Sequence, residues 1–164
     1  MELLNDKLEL DAIDLRILDQ LQRDASVSNQ DLAASVHVSP PTCLRRVKRL
    51  RDLGVVQRQV VLLNPERLKA ITGHGLTAVV EVTLTQQNTE LLEAFEARIT
   101  PEPAVQQCYR VSPGPDFVLI VHVREMADYV ALAQRVFTQD TQVRNVKAYF
   151  SLLRSKFEPR LHVL

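Results

Sequence analysis

Between Ser39 and Arg58 the chain gathers side chains that could bind a polyanion. From Leu44 to Arg58 the bases are Arg45, Arg46, Lys48, Arg49, Arg51 and Arg58, and the only acid is Asp52. Guanidinium bonds guanine bidentately, threonine touches a thymine methyl, and further cations meet phosphate. Ser39-Pro40-Pro41 marks a helix start just ahead of these bases. Serine is a good N-cap, and proline at the first helical position loses only an N–H that had no partner. Pro41 removes the next N–H, so the Ser39 hydroxyl can reach only that of Thr42. An apolar stripe of Leu44, Val47, Leu50 and Leu53 is expected to face inward. The opposite face then shows Pro41, Thr42, Arg45, Arg46 and Arg49. The candidate DNA contacts are therefore Ser39, Pro41, Thr42, Arg45, Arg46, Lys48 and Arg49. The plainer alternative is a basic helix face that only solubilises the protein.

The elements around this helix decide between the two. Leu10, Ile13, Ile17, Leu18 and Leu21 fall at helical spacing and predict a first helix ending near Asp24. Asp11 and Asp14 lie in its first turn, where carboxylates complement the positive helix end, and are read as a solvated face. Ser26 to Asn29 is a turn, and Ser28 or Asn29 can cap a short second helix through Val36. The third helix follows after His37 and Val38 and stops at Gly54, a residue suited to a left-handed cap. Three such helices have helix-turn-helix proportions, in which the third enters the major groove.

Val55 to Leu63 is β-rich and reads as an extended strand. Asn64-Pro65-Glu66 starts a helical turn through Leu68 or Ala70, and Thr72-Gly73-His74-Gly75 is the best boundary. The expected division is a helix-turn-helix, winged-helix-like domain over residues 8–61, a linker over 62–75 and a second domain over 76–164. In that second domain Leu76–Thr85 alternates as a strand. Leu91, Leu92, Phe95 and Ile99 make a helix, and Ala104–Val111 and Phe117–Val123 are strands. Met126, Tyr129, Val130, Ala133, Val136 and Phe137 form a helical stripe, and Val146–Leu153 is the last strand. The order βαββαβ predicts a ferredoxin-like α+β fold, four antiparallel strands with two helices on one face. Val118 and Ile120 make the other face apolar too. A dimer with sheets face to face would cover it, and so would the N-terminal domain; the dimer is the expectation.

Composition limits the classes. Formal net charge is zero, so the local excess on the third helix carries the argument rather than the sum. Cys43 and Cys108 have no metal spacing and read as reduced thiols of a cytoplasmic protein. No apolar run approaches the ~20 residues of a membrane span. His37, His74, His122 and His162 share no ligand spacing, and no phosphate loop, dinucleotide fingerprint or nucleophile elbow occurs. The chain is expected not to be an enzyme and to need no cofactor. An RNA-binding module of the same strand order would need stacking aromatics, and Phe117 is the only one in the third strand. A small-molecule-binding regulatory subunit of a metabolic enzyme is the other alternative, and it leaves the basic helix unexplained.

The sequence resembles the Lrp/AsnC family of prokaryotic transcription regulators. The resemblance is carried by Leu10-Asp11-Ala12-Ile13-Asp14-Leu15-Arg16-Ile17-Leu18, by Asn29-Gln30-Asp31-Leu32-Ala33 and by Val38-Ser39-Pro40-Pro41-Thr42-Cys43-Leu44-Arg45-Arg46-Val47. Leu53-Gly54-Val55-Val56, Asn64-Pro65 and the βαββαβ half extend it over nearly the whole chain. It implies a DNA-binding regulator of metabolic genes that dimerises through its C-terminal sheets and assembles into tetramers or octamers. It also implies an amino-acid effector. The family's effector loop is usually Val-Thr-Gly-x-x-Asp, and here Val111-Ser112-Pro113-Gly114-Pro115-Asp116 stands in its place. Proline occupies the glycine position, where it fixes φ and removes an N–H. The implied effector residues are Ser112, Gly114 and Asp116, with Tyr149 from the last strand.

Overall fold

The computed structural model describes residues 9–164, so residue 8, the first of the expected DNA-binding domain, lies outside the described residues. The chain forms two compact units. One runs up to Leu62 and includes Lys156–Leu164; the other is Leu63–Ser155.

The first unit is built on three helices: α1 (Ala12–Arg23), α2 (Asn29–Ser35) and α3 (Pro40–Asp52). Asp11 caps α1 through the N–H groups of Ile13 and Asp14, and Ser28 caps α2 through that of Asp31. His37 takes a left-handed φ of 58° in the turn before α3. Gly54 follows α3 at φ 71°, and the Val56 N–H returns to the Leu50 carbonyl. The core joins Ile17, Leu18, Leu32, Ala33, Val36, Cys43, Val47 and Leu50.

That core corrects the expected stripe of α3. Cys43, Val47 and Leu50 are buried, whereas Leu44 is 60% exposed and Leu53 40% exposed. Positions 43, 47 and 50 recur at helical spacing, and residue 44 lies one helical step, about 100°, away from that line. The strand expected over Val55–Leu63 is also absent. The stretch from Gln57 to Asn64 carries no assigned strand or helix, and Val61 is 85% exposed. A strand needs a partner for its N–H and C=O groups, and the described residues of this unit offer none.

The C-terminal stretch Lys156–Leu164 groups with this unit rather than with the sheet. Two contacts explain why. The Gln22 side chain donates to the Leu161 carbonyl at 3.1 Å and accepts the Leu161 N–H at 2.7 Å. Val163 packs against the three-helix core.

The second unit opens with α4 (Pro65–Thr72), capped by Asn64 and ended by Gly73 at φ 73°. The segment expected to be a linker is therefore largely helix. Then follow β1 (Leu76–Leu84), α5 (Thr89–Ile99), β2 (Val105–Arg110), β3 (Phe117–Val123), α6 (Met126–Ala133) and β4 (Val143–Phe150). A π-type turn, Gln134–Thr138, extends α6. The strands pair antiparallel in the order β2-β3-β1-β4. Strand β4 begins earlier than expected, where Val143 pairs with Leu84, and ends earlier, where Phe150 pairs with Ala78, so that Leu152 and Leu153 lie outside the ladder and exposed. One sheet face buries Ala78, Val80, Val82, Leu84, Phe117, Leu119 and Val121 with Phe95 and Ile99 of α5 and Leu132 of α6. The other face presents Val79, Val118 and Ile120, all half-buried, with Glu81 and His122 among them.

Candidate functional site

The start of α3 is fixed from two sides. The Ser39 hydroxyl accepts the Thr42 N–H at 3.4 Å and donates to Thr42 Oγ1 at 2.8 Å. The Asn29 amide donates to the Pro40 carbonyl at 2.9 Å, tying the first turn of α2 to that of α3. These contacts set the helix-turn-helix angle with short polar groups rather than with the core alone.

The seven candidate DNA contacts do not share one face. Pro41, Arg45 and Lys48 are exposed and lie opposite the buried line of Cys43, Val47 and Leu50. Ser39 is exposed at the cap, and Thr42 is half-buried. Arg46 and Arg49 turn toward α1 instead. Arg46 Nη1 bonds Asp11 Oδ2 at 2.7 Å and Asp14 Oδ1 at 2.8 Å. Arg49 Nη1 bonds Asp14 Oδ2 at 2.9 Å, and its Nη2 donates to the Glu9 carbonyl at 3.1 Å. The Asp14 side chain is 1% exposed, so both its oxygens are satisfied by guanidinium groups.

Asp14 is therefore not part of a solvated face, whereas Asp11 stays exposed at the N-cap. Asp14 occupies the inner side of α1, one turn ahead of the buried Ile17 and Leu18. That spacing was a readable signal, because a carboxylate in line with a buried stripe needs a cation within reach. The N–H of Asp14, then Arg46, hold the Asp11 carboxyl below the usual carboxylate range. Asp11 and Asp14 raise the Arg46 guanidinium in return. Asp11, Arg45, Arg46 and Arg49 together line a shallow cavity of about 280 Å³. Burial raises the Cys43 thiol, which disfavours the reactive thiolate.

In the second unit the β2–β3 loop carries three of the four implied effector residues. Ser112 and Gly114 are exposed, Gly114 at φ 125°, and the Ser112–Pro113 peptide is cis. Asp116 is buried. Its Oδ2 accepts the Leu84 N–H at 2.7 Å, its N–H donates to the Val82 carbonyl at 2.9 Å, and its carbonyl accepts the Val111 N–H. The carboxylate thus pins the loop to the end of β1 rather than standing open to solvent. Tyr149 is not brought to the loop within one chain. From β4 it pairs with Val79 of β1, while the loop ends where Phe117 of β3 pairs with Val82 of β1, two strands across and three residues along. At ordinary strand spacings that is roughly 14 Å.

Comparison with known proteins agrees with both halves. Residues 10–57 match the family model described as winged helix-turn-helix DNA-binding, and residues 77–161 match that of the Lrp/AsnC ligand binding domain. The chain is similar to a leucine-responsive regulatory protein of Haemophilus influenzae, 39% identical over 85% of this chain and 82% of that one. The Salmonella typhimurium leucine-responsive regulatory protein is 34% identical over 93% and 91%. A crystal structure of an AsnC family regulator from Agrobacterium tumefaciens superposes with a TM-score of 0.80 at 30% identity, covering 93% of this chain and 96% of that one. A Neisseria meningitidis transcriptional regulator solved as a complex with L-Met gives 0.79 at 28% identity, with the same coverage. A basic capped third helix, a βαββαβ sheet behind it and relatives matched along most of their length have one common account: this chain belongs to the Lrp/AsnC family of DNA-binding transcriptional regulators.

Proposed function

We propose that α3 reads duplex DNA with Pro41, Thr42, Arg45 and Lys48, and that Arg46 and Arg49 chiefly hold the helix in place. The observation that carries this reading is the outward position of Arg45 and Lys48, opposite the buried line of α3. In helix-turn-helix docking the outward N-terminal residues meet base edges. Arg45 is positioned to bond a guanine, Thr42 to touch a thymine methyl, and Lys48 to meet phosphate. Ser39 acts through its cap. As a chromosome-binding regulator of metabolic genes, the protein works in the cytoplasm.

The second unit supplies assembly and sensing. The half-buried face of Val79, Val118 and Ile120 suits contact with a second copy, and the dimer then builds tetramers or octamers. Two helix-turn-helix units in a dimer read half-sites one helical turn, or a multiple of it, apart in a roughly palindromic operator. An amino acid is the effector class, supported by the ligand-domain match and by the L-Met complex of the Neisseria relative. Ser112, Gly114 and Asp116 form one side of its site, with Asp116 shaping the loop. Tyr149 joins only if another protomer supplies it.

A gel-shift and sizing experiment on the purified protein, using its own upstream DNA and each amino acid in turn, tests both halves. The expected result is a salt-sensitive shift that one amino acid alters together with assembly size. A shift that no amino acid alters would remove the sensing role. Binding to no fragment in a genome-wide search would remove the DNA reading.

A further inference from the structure

Helix α3 spends part of its positive charge inside its own domain. It carries Arg45, Arg46, Lys48, Arg49 and Arg51 against a single acid, Asp52. Two of these cations are bound by α1. Asp14 takes Arg46 on one oxygen and Arg49 on the other, and Asp11 takes Arg46 a second time. Arg46 pays for this geometry: its Nε is buried without a hydrogen-bond partner while Nη1 serves both carboxylates. A side chain free to optimise its own bonding would not leave that N–H empty. Arg45 lines the same shallow cavity and stays exposed.

Phosphate contacts are blind to sequence. Each one adds affinity for any duplex and steepens the salt dependence of binding. A recognition helix with every cation free would bind all DNA more tightly and distinguish its operator less well. We propose that Asp14, assisted by Asp11, is a specificity-determining residue of the DNA interface: it withholds Arg46 and Arg49 from the phosphate backbone and leaves Arg45 and Lys48 to face the groove. The inference rests on α3 being the reading helix.

The test measures binding of wild type, Asp11→Asn, Asp14→Asn and Asp14→Asn/Arg46→Gln to the upstream DNA and to an unrelated duplex over a salt series. Asp14→Asn is expected to bind the unrelated duplex more tightly. Its plot of log affinity against log salt should steepen by about 0.9 for each newly contacted phosphate. The ratio of specific to unrelated binding should fall, and Arg46→Gln in the same chain should reverse the part of the steepening due to Arg46. A purely structural role for Asp14 predicts weaker binding to both duplexes with no steeper slope. Circular dichroism checks that each variant folds. If Asp14→Asn does not, Asp11→Asn decides, because asparagine keeps the N-cap and removes one of the two carboxylate charges that hold Arg46, so that a smaller steepening is expected. A folded variant with an unchanged or shallower slope would overturn the proposal. Failure of the underlying reading looks different: Arg45→Ala would then bind the upstream DNA as wild type does.

Discussion

Asp14 and Asp116 are the buried carboxylates among the described residues, one in each unit, and their partners differ in kind. Asp14 is held chiefly by two guanidinium groups from another helix, with the Asp11 N–H as a longer third contact at 3.3 Å. Asp116 is held by one backbone N–H at the end of β1. Asp14 therefore joins two elements through opposite charges, and removing it takes that ion pair from Arg49 and leaves Arg46 with Asp11 in a partly dry site. Asp116 shapes a hairpin through a single charge-assisted bond, and removing it strands one amide. A buried charge matched by charge fixes how helices sit against each other. One matched by an amide fixes a local turn.

The contrast is broken or sharpened by five substitutions. The largest effect is expected for Asp14→Ala, which should destabilise the first unit by about 3 kcal/mol. That is the low end for a broken buried pair, because Arg46 and Arg49 keep some contact with water. Asp116→Ala should cost the second unit about 2 kcal/mol through the unsatisfied Leu84 N–H. Denaturant unfolding of both proteins checks the order; an equal or reversed ranking would remove the distinction drawn between the two sites.

Arg46→Ala and Arg45→Ala divide α3 in the same way. The first should lower the unfolding midpoint of the three-helix unit, and the second should leave it unchanged, since Arg45 is exposed. Equal midpoints for the two variants would show that the contacts of Arg46 add nothing to stability.

The smallest effect is a pH dependence. The Asp11 carboxyl is more acidic in the folded chain than is usual. Its contribution is complete above the unfolded-state value and is lost as pH falls through the lower folded one. Asp11→Asn should therefore lower the stability of the first unit slightly near neutral pH, and the difference from wild type should vanish as pH falls through the folded value. A difference of equal size that persists into acid would mean that the charge of Asp11 is not the cause.

Much of this was legible in the sequence because local chemistry determined it. Ser39-Pro40-Pro41 fixed the start of α3, down to the one N–H that the hydroxyl reaches. The alternation of residues 76–84 and the continuous apolar run 117–123 placed two central strands. The errors fell where a distant partner decides. Asp14 looked like a surface acid until α3 brought Arg46 and Arg49 to it. Cys43 rather than Leu44 faces inward, because the line through Val47 and Leu50 chooses between two adjacent apolar residues. Val55–Leu63 has strand composition but finds no strand partner among the described residues, so it forms no strand, and Val60 to Leu63 are exposed. Lys156–Leu164 packs on α1 through Gln22 and Val163, which no local pattern near residue 160 announces.

The most direct test of the account is the salt-titrated affinity of wild type and Arg45→Ala for the upstream DNA. The account predicts that Arg45→Ala, folded and assembled as wild type, binds at least about tenfold more weakly, the loss expected for one good base contact. Affinity and salt slope equal to those of wild type would contradict it and take α3 out of the groove.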